Sequence, residues 1–294
     1  MKYSIGTTYE GKNTAYLKEI APFVNHIEVS PDSIAVKKNG RTCLQPEALA
    51  QLKWVQAETN MQILLHGVGL SIGSYDGFDN TYIDLLDELT REVQVQWHSE
   101  HLAYTKVNGE NLGTMLALPR TDEVIDMICQ RVESIQKRYK IPFLLENVIT
   151  MLPPSACKYS EAAFLNRITS LTGCGLILDV YNLECDAYNF GLDIDGFLSE
   201  LNLQPVVEIH LAGGNIDQEY NFKMDIHSQM VEASTLALAA KVLRSKEACI
   251  KAITFEILEE FIDRHGAAAI IRQLKQLYTL FNQNEPRVFT NESL

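Results

Sequence analysis

Short apolar runs rich in Val, Ile and Leu recur along the chain. Each is followed by a longer segment whose apolar residues recur every three or four positions. This alternation is typical of strands and helices that follow one another in a parallel sheet. Eight runs have the length and composition of buried strands. They read KYSIGTT, NHIEVS, ILLHGVG, VQWHSEHLAY, PFLLENV, GLILDVYN, PVVEIHLAG and AITFEIL.

The segments between these runs predict eight helices, near residues 14–21, 46–57, 80–94, 121–139, 160–170, 195–201, 229–245 and 261–283. Residues 121–139 carry the clearest signals, because Thr121 and Asp122 can cap the first turn and Pro142 follows the last one. Eight strands alternating with eight helices predict the α/β class and a single (β/α)8 TIM barrel, with residues 1–294 as one domain. A doubly wound sheet is the alternative topology.

Charge and composition restrict the partners. The chain has 25 Lys and Arg against 38 Asp and Glu, a net charge of −13 at pH 7. Binding to nucleic acid or to an anionic membrane needs basic side chains at the phosphates, so neither partner is expected. The first twenty residues lack a signal-peptide pattern, and no segment approaches the roughly 18 continuous apolar residues of a membrane span. We therefore expect a cytoplasmic protein.

Six cysteines are scattered along the chain without a C-x-x-C pair or a Cys/His zinc spacing. We interpret them as free thiols in a reducing compartment. A catalytic thiol is the alternative, but no neighbouring motif supports it.

Most of the predicted strands carry a metal-capable side chain near the C-terminal end. These side chains are His66, His101, Glu146, Asp179, His210 and Glu256. One such residue on an apolar strand is most simply a paired core residue. Six together are costly to bury unless they bind something, and the strand ends of a barrel face a common centre. Nitrogen and oxygen donors without a thiolate suit iron, manganese or zinc.

Further donors follow the sixth and seventh strands. Asp225 and His227 lie two residues apart in a polar stretch, so an extended backbone would point them the same way. Asp225 could instead cap the next helix. Asn182, three residues after Asp179, can reach the same ion or its bound substrate through the amide oxygen.

The sequence therefore offers nine candidate ligands: His66, His101, Glu146, Asp179, Asn182, His210, Asp225, His227 and Glu256. A single octahedral ion takes about six ligands, so nine donors predict two or three ions with carboxylates such as Glu146 as bridges. We assign Asp225 and His227 to the ion nearest the substrate and treat them as catalytic. Gly213 and Gly214 would allow their loop unusual backbone angles.

Other polar residues near the strands are weaker candidates. Glu28 and Glu208 could orient ligating histidines rather than bind an ion. We leave out the remainder as ligands, because their facing is ambiguous or they lie on other elements: His26, His98, Glu100 and His265.

Several motifs resemble those of a known family. LLHGVGLSIGS, SEHLAY, LPRT, PFLLENV, LTGCGLILDVYN, VVEIHLAGG and DIH recur here in order and with compatible spacings. They are similar to the multinuclear non-heme iron-dependent oxidases, which include the methanobactin-biosynthesis oxidase. The resemblance implies a (β/α)8 barrel holding two or three iron ions in mixed Fe2+/Fe3+ states, with O2 as co-substrate. It also implies that the nine candidates are the ligands.

The same resemblance implies a ribosomally made precursor peptide as substrate, modified most often at cysteine, and a separate partner protein that recognises its leader. The chain departs from many relatives at Ser228, where a carboxylate is common, and at Ile257, so the choice of substrate can differ. Two other classes fit the same donors. One is a divalent-metal isomerase or hydrolase of the sugar isomerase or phosphodiesterase type, and the other is a metal-storage protein.

Overall fold

The structure, a computed structural model, describes residues 3–38, 41–155, 157–245 and 247–282. Eight parallel strands close into a barrel, each beside its neighbours in sequence, with the last beside the first. The strands are β1 (Ser4–Thr8), β2 (His26–Val29), β3 (Gln62–Gly67), β4 (His98–His101), β5 (Phe143–Glu146), β6 (Gly175–Asp179), β7 (Val206–Leu211) and β8 (Ala252–Phe255). The predicted (β/α)8 barrel is confirmed, and the doubly wound alternative is wrong because the sheet is closed.

Ten α-helices lie in the described part of the chain. They are α1 (Thr14–Ile20), α2 (Pro46–Glu58), α3 (Asn80–Glu92), α4 (Asp122–Tyr139), α5 (Glu161–Thr172), α6 (Val180–Phe190), α7 (Ile194–Glu200), α8 (Ala233–Leu243), α9 (Glu259–His265) and α10 (Ala267–Phe281). Helix α4 begins and ends as predicted. The Thr121 side chain accepts from the main-chain N–H of Val124, and Lys140 ends the helix in the left-handed conformation.

Two predictions about helices are wrong. The segment 261–283 was predicted as one helix, but Gly266, at φ 77°, separates α9 from α10, and residue 283 lies outside the described residues. Helix α6 was not predicted. It begins directly after β6, because the Asp179 side chain accepts from the N–H of Asn182 and so caps the first turn. Val180 to Asn182 therefore belong to a helix and not to a strand.

Three β-hairpins on the barrel were also not predicted. Each is a separate two-stranded sheet. The first hairpin pairs Ala35–Lys38 with Arg41–Leu44, the second pairs Ala103–Val107 with Glu110–Ala117, and the third pairs Ile216–Asp217 with Phe222–Lys223. The second hairpin follows β4 so closely that VQWHSEHLAY reads as one run, although the strand ends at His101.

Side chains alternate between the barrel interior and the helix layer, and this alternation brings the donors together. An apolar layer inside the barrel consists of Leu64, Trp97, Leu144, Ile177 and Ala252. Its members in β3, β5 and β6 precede His66, Glu146 and Asp179 by two residues. Since side chains two apart share one face of a strand, these donors also face inward, nearer the C-terminal end.

Strand register places the donors at one level. His101 in β4 lies opposite Glu146 in β5, and Asp179 in β6 lies opposite His210 in β7. The N–H of Glu256, directly after β8, donates to the carbonyl of Leu211. The predicted convergence at the C-terminal mouth therefore follows from register as well as topology.

The six cysteines are free thiols in the structure, as interpreted from their spacing. Among the described helices, none combines the length and the apolar character required to span a bilayer.

Candidate metal centre

The first group of donors, site 1, consists of His66, His101 and Glu146. The Nε2 atoms of the two imidazoles lie 3.3 Å apart, and each approaches Glu146 Oε2, at 3.0 Å from His66 and 3.2 Å from His101. All three side chains are buried or nearly so. Three donor atoms that meet at one point can share one cation.

Hydrogen bonds at the opposite ring nitrogens fix the tautomers of site 1. Ser99 Oγ donates to the carbonyl of Leu65 and therefore accepts from His66 Nδ1 at 2.9 Å. The Nδ1 of His101 donates to the carbonyl of Gly67, also at 2.9 Å. The neutral rings thus turn lone pairs at Nε2 toward each other and toward a carboxylate oxygen. Only a cation, a proton or a metal ion, makes that arrangement favourable.

Site 2 consists of Glu146, Asp179, His210 and Glu256, whose donor atoms lie within 4.8 Å of one another. His210 Nδ1 lies 2.9 Å from Glu146 Oε1 and 3.3 Å from Glu256 Oε1. Glu146 thus presents one oxygen to site 1 and the other to site 2. A carboxylate shared in this way can bridge two cations, as predicted from the sequence.

The other nitrogen of His210 explains the roles of two residues that the sequence left uncertain. His210 Nε2 lies 3.3 Å from Glu28 Oε2 and 3.7 Å from Glu208 Oε1, deeper in the barrel. Glu208 also accepts from the indole N–H of Trp97 and from the Thr254 hydroxyl. Glu28 can therefore hold the Nε2 proton, so that Nδ1 turns its lone pair to site 2.

Site 3 consists of Asp225, His227 and Glu256. His227 Nε2 lies 3.0 Å from Asp225 Oδ1 and 3.5 Å from Glu256 Oε2. Glu256 thus joins sites 2 and 3, as Glu146 joins sites 1 and 2. The alternative that Asp225 caps the next helix is wrong, because Glu232 is the N-cap residue of α8.

The loop before site 3 adopts its conformation for a reason that the sequence analysis missed. Gly213 and Gly214 have no positive φ. A Cβ at Gly214 would lie 2.0 Å from the carbonyl oxygen of Met224, so close packing requires these glycines. The left-handed residue is His227 itself, at φ 47°. Asp225 and His227 therefore meet through a turn rather than through an extended backbone.

Asn182 and Asp179 are tied together at the start of α6. Asp179 Oδ1 accepts from the N–H of Asn182 at 2.7 Å, while the Asn182 amide donates to the carbonyl of Asn147. Asn147 also clamps the main chain of Asp179, accepting from its N–H and donating to its carbonyl, both at 2.9 Å. Sequence reasoning missed Asn147. The only signal is its place directly after Glu146 at a strand end.

Unpartnered polar atoms test whether a metal fits this centre. Six of the nine candidates present a buried nitrogen or oxygen with no hydrogen-bond partner among the described residues: Glu146 Oε2, Asp179 Oδ2, Asn182 Oδ1, His210 Nδ1, Asp225 Oδ1 and Glu256 Oε2. A buried polar atom without a partner is costly. Three of these oxygens lie 3.0 to 3.5 Å from an imidazole nitrogen without a hydrogen bond to it: Glu146 Oε2, Asp225 Oδ1 and Glu256 Oε2. The donor set therefore fits metal ions.

Electrostatics support the same fit. Burial raises the pKa of Asp179 well above its usual range, and the carboxylates of Asp225, Glu256 and Glu146 raise it further. Burial alone would lower the pKa of His66, but Glu146 and Glu28 outweigh it and raise that pKa to about 9. In the metal-free site the buried carboxylates therefore repel one another, and bound protons reduce that repulsion. Bound cations would reduce it as well.

A closed barrel with three adjoining groups of His and carboxylate donors at its mouth defines a TIM-barrel protein with a candidate metal-binding centre. A sequence model of the family described as "RiPP precursor modification enzyme MbnB/TglH/ChrH" matches residues 4–278. RiPP denotes a ribosomally synthesised and post-translationally modified peptide. The chain belongs to this family, which is the family of multinuclear non-heme iron-dependent oxidases that its motifs resemble.

Curated relatives match over most of their length. A UPF0276 protein of Vibrio vulnificus is 33% identical over 196 residues, which cover 66% of this chain and 67% of that protein. A UPF0276 protein of Caulobacter vibrioides is 32% identical over 224 residues, which cover 76% of each chain.

Solved structures with the same fold are far more distant in sequence. A xylose isomerase domain containing protein from Salmonella typhimurium has a TM-score of 0.60 at 13% identity and covers 96% of this chain and 98% of its own. Endonuclease IV from Thermus thermophilus has a TM-score of 0.57 at 12% identity, with 93% and 99% covered. These likenesses establish the barrel fold alone.

Proposed function

We propose that this protein is a cytoplasmic multinuclear non-heme iron, O2-dependent oxidase that modifies a residue, most often cysteine, of a ribosomally made precursor peptide. The observation that carries the proposal is the shared use of two carboxylates. Glu146 faces sites 1 and 2, and Glu256 faces sites 2 and 3, so the three sites form one chain of donors. Membership of a family of precursor-modifying enzymes supports the peptide as substrate.

The residues of the chain would hold and orient the ions. His66, His101 and His210 each have one ring nitrogen held by a hydrogen-bond acceptor and the other turned to the centre. Bound iron, in mixed Fe2+/Fe3+ states, would supply redox chemistry, since it can bind a thiolate and pass electrons to dioxygen. The mixed donor set of imidazole and carboxylate is compatible with iron and leaves the number of ions at two or three.

The mouth of the barrel provides room for a substrate side chain. A cavity of about 390 Å³ lies elsewhere in the helix layer, whereas one of about 380 Å³ opens directly onto the candidate centre. Residues from three sites line it, namely His66, His101, His227 and Glu256, with Val68 and Leu258 beside them. The reacting side chain would enter here, and the two apolar residues would help to exclude water from it.

A separate protein that recognises the leader of the precursor remains part of the proposal. The proposal for this partner rests on the family resemblance.

A sugar isomerase or hydrolase with a divalent metal is the second candidate. The specific observation in its favour is the likeness to the xylose isomerase domain containing protein and to endonuclease IV, which concerns the fold alone. A metal-storage role would require closed coordination, whereas the cavity opens onto the donors of sites 1 and 3.

Oxygen uptake distinguishes these functions. Protein purified without oxygen is loaded with Fe2+, with Zn2+ or with Mn2+, and each sample is mixed with a cysteine-containing peptide pool in an oxygen-electrode cell. An oxidase consumes oxygen only when iron and peptide are both present, because zinc has no redox chemistry. Equal peptide-dependent turnover with zinc, or turnover in the absence of oxygen, would overturn the proposal.

A further inference from the structure

A second cavity adjoins the candidate centre. It measures about 650 Å³, and it shares Asp32 and Val68 with the cavity that opens onto the metal-binding groups. We call it the hairpin groove, because its walls include Ala35 and Thr42 of the first hairpin and Asn111, Gly113, Thr114 and Met115 of the second. Helix α3 contributes Thr81, Tyr82 and Leu85. A molecule that occupied the groove could thus extend one end into the centre.

The strand Glu110–Ala117 forms one wall of the groove. It has more main-chain N–H and C=O groups than its partner strand Ala103–Val107 can pair. In the second hairpin Lys106 pairs with Asn111 and Tyr104 pairs with Leu116, so the four residues 112–115 lie opposite Thr105 alone. The N–H of Thr105 is already bonded to Ser71 Oγ. Gly113 is left-handed, at φ 70°, and its N–H donates to Asn111 Oδ1 at 2.8 Å. The one carbonyl of Thr105 cannot satisfy the other three N–H groups, so at least two of those of Leu112, Thr114 and Met115 are left for another acceptor.

The inner edge of the same hairpin is closed. The loop after β3 covers the strand Ala103–Val107: Gly73 donates to the carbonyl of Ala103, and Ser74 Oγ both accepts from the N–H of Lys106 and donates to its carbonyl. The edge formed by residues 110–117 is therefore the open one, and residues 110–114 are exposed.

The opposite wall is also the edge of a small sheet. The first hairpin is a two-stranded sheet in which Ala35 pairs with Leu44 and Lys37 pairs with Thr42, so the strand Arg41–Leu44 has an outer edge. On this edge the N–H of Leu44 already donates to Glu88 Oε2 of α3 at 3.5 Å, whereas Thr42 lines the groove. Two strand edges therefore border one polar cavity, and such edges are satisfied by an extended chain that pairs with them.

The remaining side chains in the groove suit main-chain recognition rather than a fixed side-chain sequence. Threonines from four elements line it, together with Gly113. Of its charged groups, Lys106 and Asp79 form an ion pair with each other, and Asp32 accepts from the N–H of Gly69. Outside that ion pair, Asp32 is the one charged side chain among the described residues that line the groove, and it lies where the groove meets the cavity of the metal centre.

We propose that the hairpin groove binds the substrate peptide as an extended strand, paired to Thr114 and Met115 on one side and to Thr42 on the other, and delivers one side chain past Asp32 and Val68 to the metal centre. This inference rests on the proposed function for the identity of the occupant as a peptide. It assigns the binding of the segment next to the reacting residue to this chain rather than to a partner.

Hydrogen exchange of the full-length, metal-loaded protein tests the groove without any need for turnover. The probe is a pool of synthetic nonapeptides with cysteine at the central position and random residues elsewhere. The pool should slow amide exchange at Thr114, Met115 and Thr42, because pairing protects N–H groups. Protection confined to the residues around His66 and His227 would contradict peptide binding in the groove, but it would be consistent with a peptide substrate at the metal centre.

Thr114 offers a matched pair of variants, since it has no ladder partner in its own hairpin. Thr114→Pro removes the N–H and should weaken binding of the pool about tenfold, the loss of one hydrogen bond, whereas Thr114→Ala keeps the N–H and should weaken binding less. Equal affinity of both variants would overturn the proposal. Protection of the groove amides without any oxygen uptake by the iron-loaded protein would instead contradict the oxidase activity and support peptide binding in the groove.

Discussion

Glu28 lies directly below His210, with its Oε2 3.3 Å from the Nε2 of the imidazole, on the side of the ring opposite the candidate metal centre. Both residues are buried. The contact links the second strand of the barrel to the seventh and fixes which nitrogen of His210 faces Glu146. Carboxylates in this position are known to orient metal-binding histidines.

Replacement of Glu28 should therefore weaken metal binding without any change in the ligands themselves. Glu28→Ala should raise the dissociation constant at site 2 by about 10- to 100-fold, the range for such supporting residues. Glu28→Gln retains an oxygen acceptor and should lose less. Competition with a chelator measures both constants. If Glu28→Ala binds metal as tightly as the wild type, the carboxylate does not position His210.

Glu146 should control two sites at once. Glu146→Gln replaces the anion whose oxygens face His66 and His101 on one side and His210 on the other, and we expect metal loss from both sites 1 and 2. His101→Ala, the matched variant, touches site 1 alone and should lose fewer ions per chain. Metal analysis after anaerobic loading measures the difference, and equal loss in the two variants would count against a bridging carboxylate.

Replacement of Asp179 by Asn should raise the melting temperature of the metal-free protein and lower that of the metal-loaded protein. Its pKa is raised in the folded state, so the folded metal-free protein loses stability as pH rises above the usual carboxyl pKa of about 4. Asp179→Asn removes this penalty, and its melting temperature without metal should exceed that of the wild type by more at pH 8 than at pH 5. With iron bound the order should reverse, because a ligand is lost.

A control for Asp179 is Asp193→Asn, which changes a carboxylate that caps α7 and accepts from the N–H of Gly196. Asparagine caps helices equally well, so this variant should melt as the wild type does at both pH values. A lower melting temperature of metal-free Asp179→Asn at pH 8 would show that the charged carboxylate is stabilised by protein groups.

The loop 213–230 should become ordered on metal binding, because Asp225 and His227, as proposed ligands, would lose their shared partner when the ion leaves. Limited proteolysis should cut this loop faster in the metal-free protein. His227→Asn preserves the left-handed backbone at this position and removes the imidazole, so it should abolish turnover while sites 1 and 2 retain iron.

Asn221→Gly is the control in the same loop, since Asn221 is also left-handed, at φ 50°, but is not a candidate ligand. It should keep the full metal content. Cleavage at the same rate with and without iron, or wild-type turnover in His227→Asn, would show that the loop only connects β7 to α8 and supplies no metal ligand.

The barrel was predictable because its signal is repeated. Apolar strands recur eight times, and the donors at their ends share the period-two alternation that also positions Leu64 before His66 and Leu144 before Glu146. Helix α6 was missed because the run GLILDVYN stays apolar into the first helical turn, and the cap at Asp179 is itself a candidate ligand. Because Asp179 is both the last residue of β6 and the cap of α6, the sequence pattern does not show where the strand ends and the helix begins.

The finer features depend on contacts between distant parts of the chain. Asn147, Ser99 and Gly67 hold the candidate ligands through hydrogen bonds that have no local sequence pattern. The glycine pair 213–214 suggested unusual backbone angles, whereas the close approach of Met224 is the actual requirement. Such packing constraints arise only when the chain has folded.

The most direct test of the account is a structure of the anaerobically iron-loaded protein with anomalous scattering measured on both sides of the iron absorption edge. The account predicts two or three iron peaks along the line of sites 1, 2 and 3, with Glu146 between the first pair and, where the third ion is present, Glu256 between the second. A single iron peak, or iron bound away from these residues, would contradict it.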